Sequence, residues 1–162
     1  MKINSKELKL DEIDRRILTI LQKNAKITNA QLSQDIGLSP APTLERVKKL
    51  EQSGLVKSYH AELDTDMLGL GVQMFVQVML KGHNKQNIDI FMDAIRDVPE
   101  VIECHHITGS ADLLLKVISR DISSYQKFML ESISEIEVVD NLQSMVILST
   151  LKDSKEMPLP TS

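Results

Sequence analysis

The chain has 162 residues, a hydrophobic fraction of 42% and a formal net charge of −4 at pH 7. These values are typical of a globular protein with a packed core, and the length suits one large domain or two small ones. There is no run of eighteen apolar residues and no apolar stretch near the start. Neither a membrane span nor a signal peptide is therefore expected, and the protein is expected to be cytoplasmic.

The charge is distributed unevenly along the chain. Through residue 60 there are eleven Lys and Arg against seven Asp and Glu, and from residue 61 onward there are eight against sixteen. The first part therefore carries +4 and the remainder −8. Because local positive charge favours polyanions, this asymmetry predicts two domains, with a nucleic-acid partner on the first.

Three amphipathic helices are predicted in the basic part of the chain. Apolar residues at helical spacing indicate a first helix over about residues 12 to 23, with Asp11 as its N-cap. A second, short helix follows, with Asn29 as a candidate N-cap and Gly37 as the left-handed residue that ends it. The third helix begins after Ser39, another candidate N-cap.

Two prolines open the third helix. Pro40 takes the first position and Pro42 the third, where the missing amide protons would have no intrahelical partner in any case. Two short helices joined by a tight turn and braced by a preceding helix form a helix-turn-helix, here over about residues 29 to 48. The next stretch, "LVKSYHAELD", predicts one or two short strands in the place of a wing. This domain is expected to cover residues 1–60, followed by a linker over residues 61–71.

The outward face of the third helix is the candidate DNA contact. Small side chains near its start, with Glu45, are expected to approach base edges, while its cations meet phosphates or guanine. The alternative is a solvated face on which Glu45 pairs with Lys49, worth only about 0.3–0.5 kcal/mol. The helix caps and the local positive charge favour DNA. The candidate set is Ser39, Ala41, Thr43, Glu45, Arg46, Lys48, Lys49 and Lys57 of the wing, with Arg15, Arg16, Lys23 and Lys26 as further candidates for phosphate contacts.

From residue 72 the pattern changes to strands and helices in the order βαββαβ. This order predicts a ferredoxin-like domain over residues 72–152, with an antiparallel sheet and both helices on one face, so the whole chain is α+β. The first strand looks apolar on both faces, which favours self-association through the sheet. The tail, residues 153–162, has no periodicity and two prolines, and it is expected to be disordered.

No catalytic or metal-binding constellation is found in the sequence. His105 and His106 are neighbours in a predicted strand, so their side chains face opposite sides and do not chelate one ion. One of them is expected to face the assembly surface, where its titration is a hypothesis for tuning association. Cys104 is interpreted as a buried apolar thiol. The chain is therefore not expected to be an enzyme or to hold a metal or a cofactor.

Four stretches carry a resemblance to a known family: "LDEIDRRILTILQKN", "GLSPAPTLERVKKLEQSGLV", "ECHHITGSADLLLKV" and "YQKF". Over about residues 8 to 152 the chain closely resembles the leucine-responsive and asparagine regulators, the Lrp/AsnC or feast/famine family. The resemblance implies a winged helix-turn-helix DNA reader joined to an amino-acid-responsive αβ domain. It also implies dimers that assemble into tetramers or octamers, with a non-covalent amino-acid effector bound between subunits.

The resemblance places the effector at the turn between the two central strands. There Gly109 would allow close backbone approach, and Asp112 would offer a carboxylate to the ligand's ammonium group. From the residues alone, the same glycine and aspartate are explained by turn chemistry. Ser110 and Ala111 replace bulkier residues that are common in the family, so no effector identity carries over. The candidate effector set is His106, Gly109, Asp112 and, from the last strand, Ser144, Met145 and Val146.

The leading hypothesis is a sequence-specific transcriptional regulator, cytoplasmic and associated with the nucleoid, whose DNA binding or assembly responds to a small amino acid. Its expected partners are double-stranded DNA, an amino acid and further copies of the chain, with no membrane. A two-fold dimer would present two third helices to successive major grooves, which predicts a palindromic operator. The alternative is an architectural, DNA-wrapping chromatin protein with little sequence preference.

Overall fold

The computed structural model describes residues 10–160, which form two compact units. Among the described residues, one unit contains residues 10–61 and 152–160, and the other contains residues 62–151. The chain therefore leaves the first unit once and returns to it at its C-terminal end. Within the described range, no helix is both long enough and apolar enough to cross a membrane.

The first unit is built from three helices, α1 (Glu12–Lys23), α2 (Asn29–Ile36) and α3 (Pro40–Gln52). Helix α1 has the bounds predicted from the sequence. It begins with a capping box in which the side chain of Asp11 accepts from the amide of Asp14, and the side chain of Asp14 accepts from the amide of Asp11. The helices enclose a core cluster of Ile17, Leu18, Leu32, Ile36 and Leu50.

The N-caps of the second and third helices differ from the prediction. Thr28 caps α2, and its hydroxyl accepts from the amide of Gln31. Asn29 lies one residue inside the helix, and its side-chain amide donates to the carbonyl of Pro40 at 2.8 Å. Asn29 therefore holds the start of α3 instead of capping α2, while Gly37 ends α2 with the expected positive φ of 75°.

Ser39 occupies the N-cap position of α3, but its side chain makes no capping hydrogen bond to any described residue. The prediction of a Ser39 cap is thus wrong in its chemistry. An N-cap side chain bonds the amide of the second or third helical residue, and the third residue here is Pro42, which has no N–H. The prolines stiffen the first turn and remove one of the groups that a cap would satisfy.

The segment after α3 forms no strand anywhere between residues 53 and 71, all of which are described. The predicted wing strands over "LVKSYHAELD" are therefore absent. The segment instead packs back on α3: the hydroxyl of Tyr59 donates to a carboxylate oxygen of Glu51 at 2.9 Å, and burial raises the pKa of Tyr59 to about 12. A strand is stable only when it is paired, and this stretch contains no Gly, Pro or Asn that would fold it into a tight hairpin.

The second unit is a four-stranded antiparallel sheet with strand order β2-β3-β1-β4 and helices between the strands, as the βαββαβ pattern predicted. The strands are β1 (Val72–Leu80), β2 (Val101–His106), β3 (Leu113–Ser119) and β4 (Val139–Val146). Helix α4 (Lys85–Ile95) joins β1 to β2, and helix α5 (Ile122–Phe128) continues into a π-helical turn (Met129–Ile133) before β4. The last strand ends at residue 146, whereas the sequence pattern predicted that it would continue to about residue 152.

Strand β1 is the centre of this sheet, because it pairs with β3 on one side and β4 on the other. One face of the sheet packs with the helices into a core whose largest fully buried members include Phe91, Leu113, Leu115 and Ile133. Cys104 is only half-buried at the margin of this core, beside Met92. The interpretation of Cys104 as a buried apolar thiol is therefore correct only in part, although burial does raise its pKa.

The other face of the sheet is open in the single chain. Alternate residues of the two central strands are half-buried there, and Met145 of β4 is 37% exposed. By the alternation of strand side chains, this open face carries Phe75, Met79, Leu114, Ile118 and Met145. The same face also carries Gln73, Gln77, Lys116 and Gln143, so it is mixed, and its apolar part agrees with the expectation that both sides of the sheet have apolar surface to bury.

The C-terminal segment was expected to be disordered, and the structure corrects this for residues 153–160. Residues 156–160 lie along α1 in the first unit, where Leu159 joins the margin of the core cluster. Two prolines argue against a helix or an internal strand, and the segment has neither. They do not prevent docking by backbone hydrogen bonds to side chains of another element.

Candidate functional site

The outward face of α3 is the first candidate site. Ala41, Glu45, Lys48 and Gln52 are exposed at the spacing i, i+4, i+7, i+11, which places them on one stripe, with Lys49 beside it. A shallow polar depression of about 750 Å³ follows this stripe and also touches the carboxylates at the start of α1. The face thus presents small, acidic and basic side chains in turn, with its free cations toward the C-terminal half of the helix.

Arg46 lies at the edge of this face but is bound to protein groups. One guanidinium nitrogen lies 2.7 Å from a carboxylate oxygen of Asp11 and 2.7 Å from one of Asp14. The amide of Asp14 and then this guanidinium hold the pKa of Asp11 below its usual value. The two carboxylates, in turn, raise the pKa of Arg46. Arg46 therefore ties α3 to the capping box of α1, which was not foreseen for a residue predicted to meet phosphate or guanine.

Thr43 was predicted to touch bases, and the structure excludes this. Its side chain is fully buried, and its hydroxyl donates to the carbonyl of Ser39 at 2.9 Å. The reason is helical phase, since Thr43 shares the inward stripe of Val47 and Leu50 at i, i+4, i+7. The residue is a core threonine that bonds back to its own helix.

The other predicted DNA contacts are exposed or only partly engaged. Ser39 is exposed at the turn before α3, and Lys57 is exposed in the irregular segment after it. Of the further cations, Arg16 donates to the carbonyl of Asp35 at 2.6 Å. Arg15 and Lys23 contact the C-terminal segment.

A second candidate site is a cleft of about 590 Å³ at one end of the sheet. It lies where the turn from β1 to α4 meets the turn from β2 to β3, two connections that antiparallel pairing of β1 with β3 brings to the same edge. The cleft is lined by His83, Asn84, Lys85, Ile88, His106, Ile107, Thr108, Gly109, Ala111 and Asp112.

Asp112 is the central acidic group of this cleft. It is 4% exposed, and one carboxylate oxygen accepts from the backbone amide of Leu80 at 2.8 Å. The other oxygen hydrogen-bonds to Nδ1 of His83, whose side chain is 81% exposed. Its own amide donates to the carbonyl of Val78 at 3.0 Å, so both backbone and side chain are tied to β1. The strongly held partner is the amide, and the exposed imidazole is the partner that a ligand can replace.

The opposite wall of the cleft is the N-terminus of α4. Asn84 caps this helix by accepting from the amide of Asn87, and Lys85 is its first residue. A helix N-terminus and a lysine both favour negative charge, whereas Asp112 favours positive charge. Ile88 adds an apolar patch between them. The cleft therefore offers complementary groups to a small molecule that carries both an ammonium and a carboxylate.

Of the predicted effector residues, the structure brings three together. His106, Gly109 and Asp112 all line the cleft, and Gly109 has a φ of 126°, which favours glycine. The predicted partners on the last strand lie elsewhere in the single chain. Residues 144–146 pair with residues 74–76 of β1, whereas Asp112 bonds to residues 78 and 80 toward its far end.

The last-strand residues also do not share one surface. Ser144 faces the helices, where its hydroxyl contacts the hydroxyl of Tyr125, and Met145 faces the open side of the sheet. Val146 falls on the same side as Ser144 by alternation. Within one chain, strand pairing therefore separates Ser144, Met145 and Val146 from Asp112 along β1, and their place in a pocket between subunits stays a prediction.

Sequence reasoning missed His83, Asn84 and Lys85. They follow β1 directly, and the antiparallel pairing of β1 with β3 puts them beside the turn that ends at Asp112. The strand order itself was predicted, so this adjacency was available as a signal. What the sequence did not show is that His83 would take one oxygen of the buried carboxylate.

The two adjacent histidines face opposite sides, as expected from their place in a strand. His106 lines the cleft, whereas His105 pairs with Leu114 in register and contacts Glu103 at 3.0 Å. His105 and then Lys116 hold the pKa of Glu103 below its usual value. No group of three or more potential metal ligands comes together among residues 10–160.

The two units match two known kinds of domain in the same order. Residues 10–57 match a winged helix-turn-helix DNA-binding domain, and residues 73–157 match the Lrp/AsnC ligand binding domain. A chain that joins a DNA-binding domain of this kind to a ligand-binding domain is a transcriptional regulator in which one domain binds DNA and the other binds a ligand.

Relatives agree over nearly the whole chain. The transcriptional regulator AzlB of Bacillus subtilis is 35% identical over 150 residues, covering 93% of this chain and 96% of its own. The leucine-responsive regulatory protein of Escherichia coli is 36% identical over 152 residues, covering 94% and 93%. A solved transcriptional regulator from Neisseria meningitidis in complex with L-Met superposes with a TM-score of 0.88 at 35% identity, covering 92% and 96%. This chain belongs to the Lrp/AsnC family of transcriptional regulators. Membership of this family does not favour the alternative of an architectural, DNA-wrapping protein.

Replacing Arg46 is expected to weaken folding of the DNA-binding unit. Arg46→Met keeps the aliphatic stem but leaves the two carboxylates without their cation, at a cost of about 1 kcal/mol because the pair is partly screened by solvent. Hydrogen exchange of the α1 and α3 amides measures this cost directly. Lys49→Met, at an exposed position of the same helix, is the control and is expected to leave exchange unchanged. Equal effects of the two variants would contradict the assignment.

The cost of Arg46→Met is expected to depend on pH. The lowered pKa of Asp11 in the folded protein means that its stabilising contribution is complete above the unfolded carboxyl pKa of about 3.9 and is lost as pH falls through the lower folded value. The difference in free energy of unfolding between parent and variant should therefore be constant near neutral pH and shrink below about pH 3.9. A difference that persists undiminished in strong acid would show that the carboxylates are not its source.

Proposed function

We propose that this regulator reads DNA with the outward stripe of α3 and responds to a free amino acid bound in the cleft around Asp112. The observation that carries the proposal is the placement of a buried carboxylate opposite a helix N-terminus and Lys85. These are the two charges that an amino acid's backbone groups require. In this proposal the protein acts in the cytoplasm, where it meets both DNA and free amino acids.

On the DNA side, the first turn of α3 enters the major groove. Ala41 and Glu45 approach base edges, and Lys48 and Lys49 contact phosphates on the flanks. Lys57 contributes a further phosphate contact from the segment after the helix. Arg46 fixes the angle between α3 and α1, so it supports DNA recognition without contacting the DNA itself.

On the effector side, the ligand's ammonium takes the oxygen of Asp112 that is hydrogen-bonded to His83. The carboxylate lies at the N-terminus of α4 near Lys85, with Gly109 allowing close backbone approach, and the ligand side chain meets Ile88. L-methionine is the first ligand to test, because the Neisseria meningitidis regulator that resembles this chain was crystallised with it.

The chain also self-associates. The open face of the sheet exposes apolar side chains of three strands, and a second copy related by a two-fold axis would cover it. The same axis repeats α3, so two helices read two half-sites of a palindromic operator. Further assembly of such dimers into tetramers or octamers, and an effector held between subunits, follow the family pattern.

Two lysines of α3 are expected to account for part of the salt dependence of DNA binding. Removing one phosphate contact lowers the slope of log affinity against log salt by about 0.9, so Lys48→Gln with Lys49→Gln should reduce it by about 2 per bound chain. The control is Arg96→Gln with Lys127→Gln, exposed cations of the other unit that change the net charge equally. Binding to the protein's own promoter, measured by fluorescence anisotropy over a salt series, gives both slopes. If the two double variants behave alike, α3 is not the DNA contact.

Asp112 is expected to be required for the effector. A panel of the twenty amino acids, tested by thermal shift, should find at least one that raises the midpoint, since ligand at 100 times Kd adds about 2.7 kcal/mol to the folded state. Asp112→Asn keeps an oxygen for the amide of Leu80 but loses the charge, so this shift should disappear. Asp89→Asn, an exposed change on α4, should retain it. A full shift in Asp112→Asn would place the effector elsewhere.

A further inference from the structure

The C-terminal segment lies along α1, in a groove formed by the side chains of Arg15, Gln22 and Lys23. Its contacts run in opposite order to the helix: Glu156 and Met157 meet the C-terminal end of α1, and Pro160 meets Arg15 about two turns earlier. The segment is therefore antiparallel to the helix. Its contacts are specific in direction, because they join particular backbone groups of the segment to particular side chains of α1.

Gln22 is the main polar contact in this groove. Its side-chain carbonyl accepts from the amide of Met157 at 2.6 Å, and its side-chain NH₂ donates to the carbonyl of Met157 at 3.3 Å. An amide side chain that satisfies both backbone groups of one residue reproduces the pairing that a neighbouring strand would give. Gln22 thus binds the extended backbone of the segment. The identity of the side chain at Met157 does not affect these hydrogen bonds, and that residue is 73% exposed.

Leu159 supplies the apolar contact. It is the residue of the segment that packs against the core cluster of the first unit, between Pro158 and Pro160. The flanking prolines fix their own φ and restrict the residues before them to extended conformations, so less chain entropy is lost on docking. Proline-rich peptides are commonly recognised in this way, because a segment that is already extended loses little conformational entropy when one apolar side chain is buried.

Charge completes the match. The ammonium of Lys23 lies 3.8 Å from a carboxylate oxygen of Glu156, and the guanidinium of Arg15 donates to the carbonyl of Pro160 at 3.1 Å. The first contact is exposed and contributes little to stability, but it fixes which end of the segment meets which end of the helix. Two of the cations that looked available for phosphates are therefore engaged at this groove.

We propose that the groove formed by Arg15, Gln22 and Lys23 of α1 is a peptide-binding site whose ligand is residues 156–160 of the same chain. The segment completes the DNA-binding unit from the far end of the sequence. Its docking covers one side of α1 and stabilises the helix that braces α3. The DNA-binding unit of this regulator thus depends on residues 156–160 as well as on its three helices.

The test compares two alanine variants of the full chain by hydrogen exchange. The amide of Met157 reports docking directly, because it donates to Gln22. In the parent chain it should exchange at least roughly tenfold more slowly than in an unstructured peptide of the same sequence. Leu159→Ala should abolish this protection and speed exchange of the α1 amides by roughly fivefold, since most of an apolar contact is removed.

Met157→Ala is the matched control. It removes a large apolar side chain two residues away but keeps the backbone groups that Gln22 binds, so protection should remain. Gln22→Ala provides a second route: it should release the segment, and adding Leu159→Ala to it should cause little further change, because both residues act on one contact. Parent-like exchange in Leu159→Ala, equal effects of Leu159→Ala and Met157→Ala, or an unprotected Met157 amide in the parent would each overturn the proposal.

Discussion

The direction of the recognition helix depends on Arg46. Its guanidinium bonds two carboxylates that are themselves locked in the capping box of α1, so the start of one helix is fixed to the middle of another. Asn29 fixes the other end of the turn by holding the carbonyl of Pro40. With both points held and the first turn stiffened by prolines, α3 has little freedom left to lose when it binds. In the proposed DNA complex, a rigid helix held at a set angle would let small side chains near its start approach base edges.

The ligand-binding unit follows the same logic around a carboxylate. Asp112 is buried, and a buried carboxylate must keep its partners or pay for desolvation. The amide of Leu80 is a fixed partner on β1, whereas His83 is an exposed side chain that can move. Any ligand that takes the place of His83 must therefore bring a donor of its own, preferably a cation. This requirement favours an ammonium group over uncharged molecules of similar size, which supports the proposal of an amino-acid effector.

The sequence was enough to predict local structure and strand order but not which polar groups would meet. Helix α1 and its cap, the left-handed Gly37 and the βαββαβ order all follow from periodicity and cap chemistry, which are local. Thr43 was misplaced because a polar residue at a core position does not stand out in an apolar pattern. The last strand was assigned to the pocket because the resemblance named residues without their register, and pairing along β1 puts Ser144 away from Asp112. Contacts such as that of Arg46 with Asp11 join residues far apart in the sequence, and composition does not show them.

The positive charge of the first sixty residues overstates what DNA can use. Among the described cations there, Arg15, Arg16, Lys23 and Arg46 are all engaged by protein groups, while Lys26, Lys48, Lys49 and Lys57 are exposed. A small number of available cations gives one chain a weak, sequence-independent attraction to phosphates. In the proposed dimer, contacts with base edges and repetition of α3 by two-fold symmetry would supply the remaining affinity, since two linked half-sites raise affinity without any new contact. The proposed regulator would then be sensitive to its assembly state, because separating the two copies of α3 would remove most of its affinity for the operator.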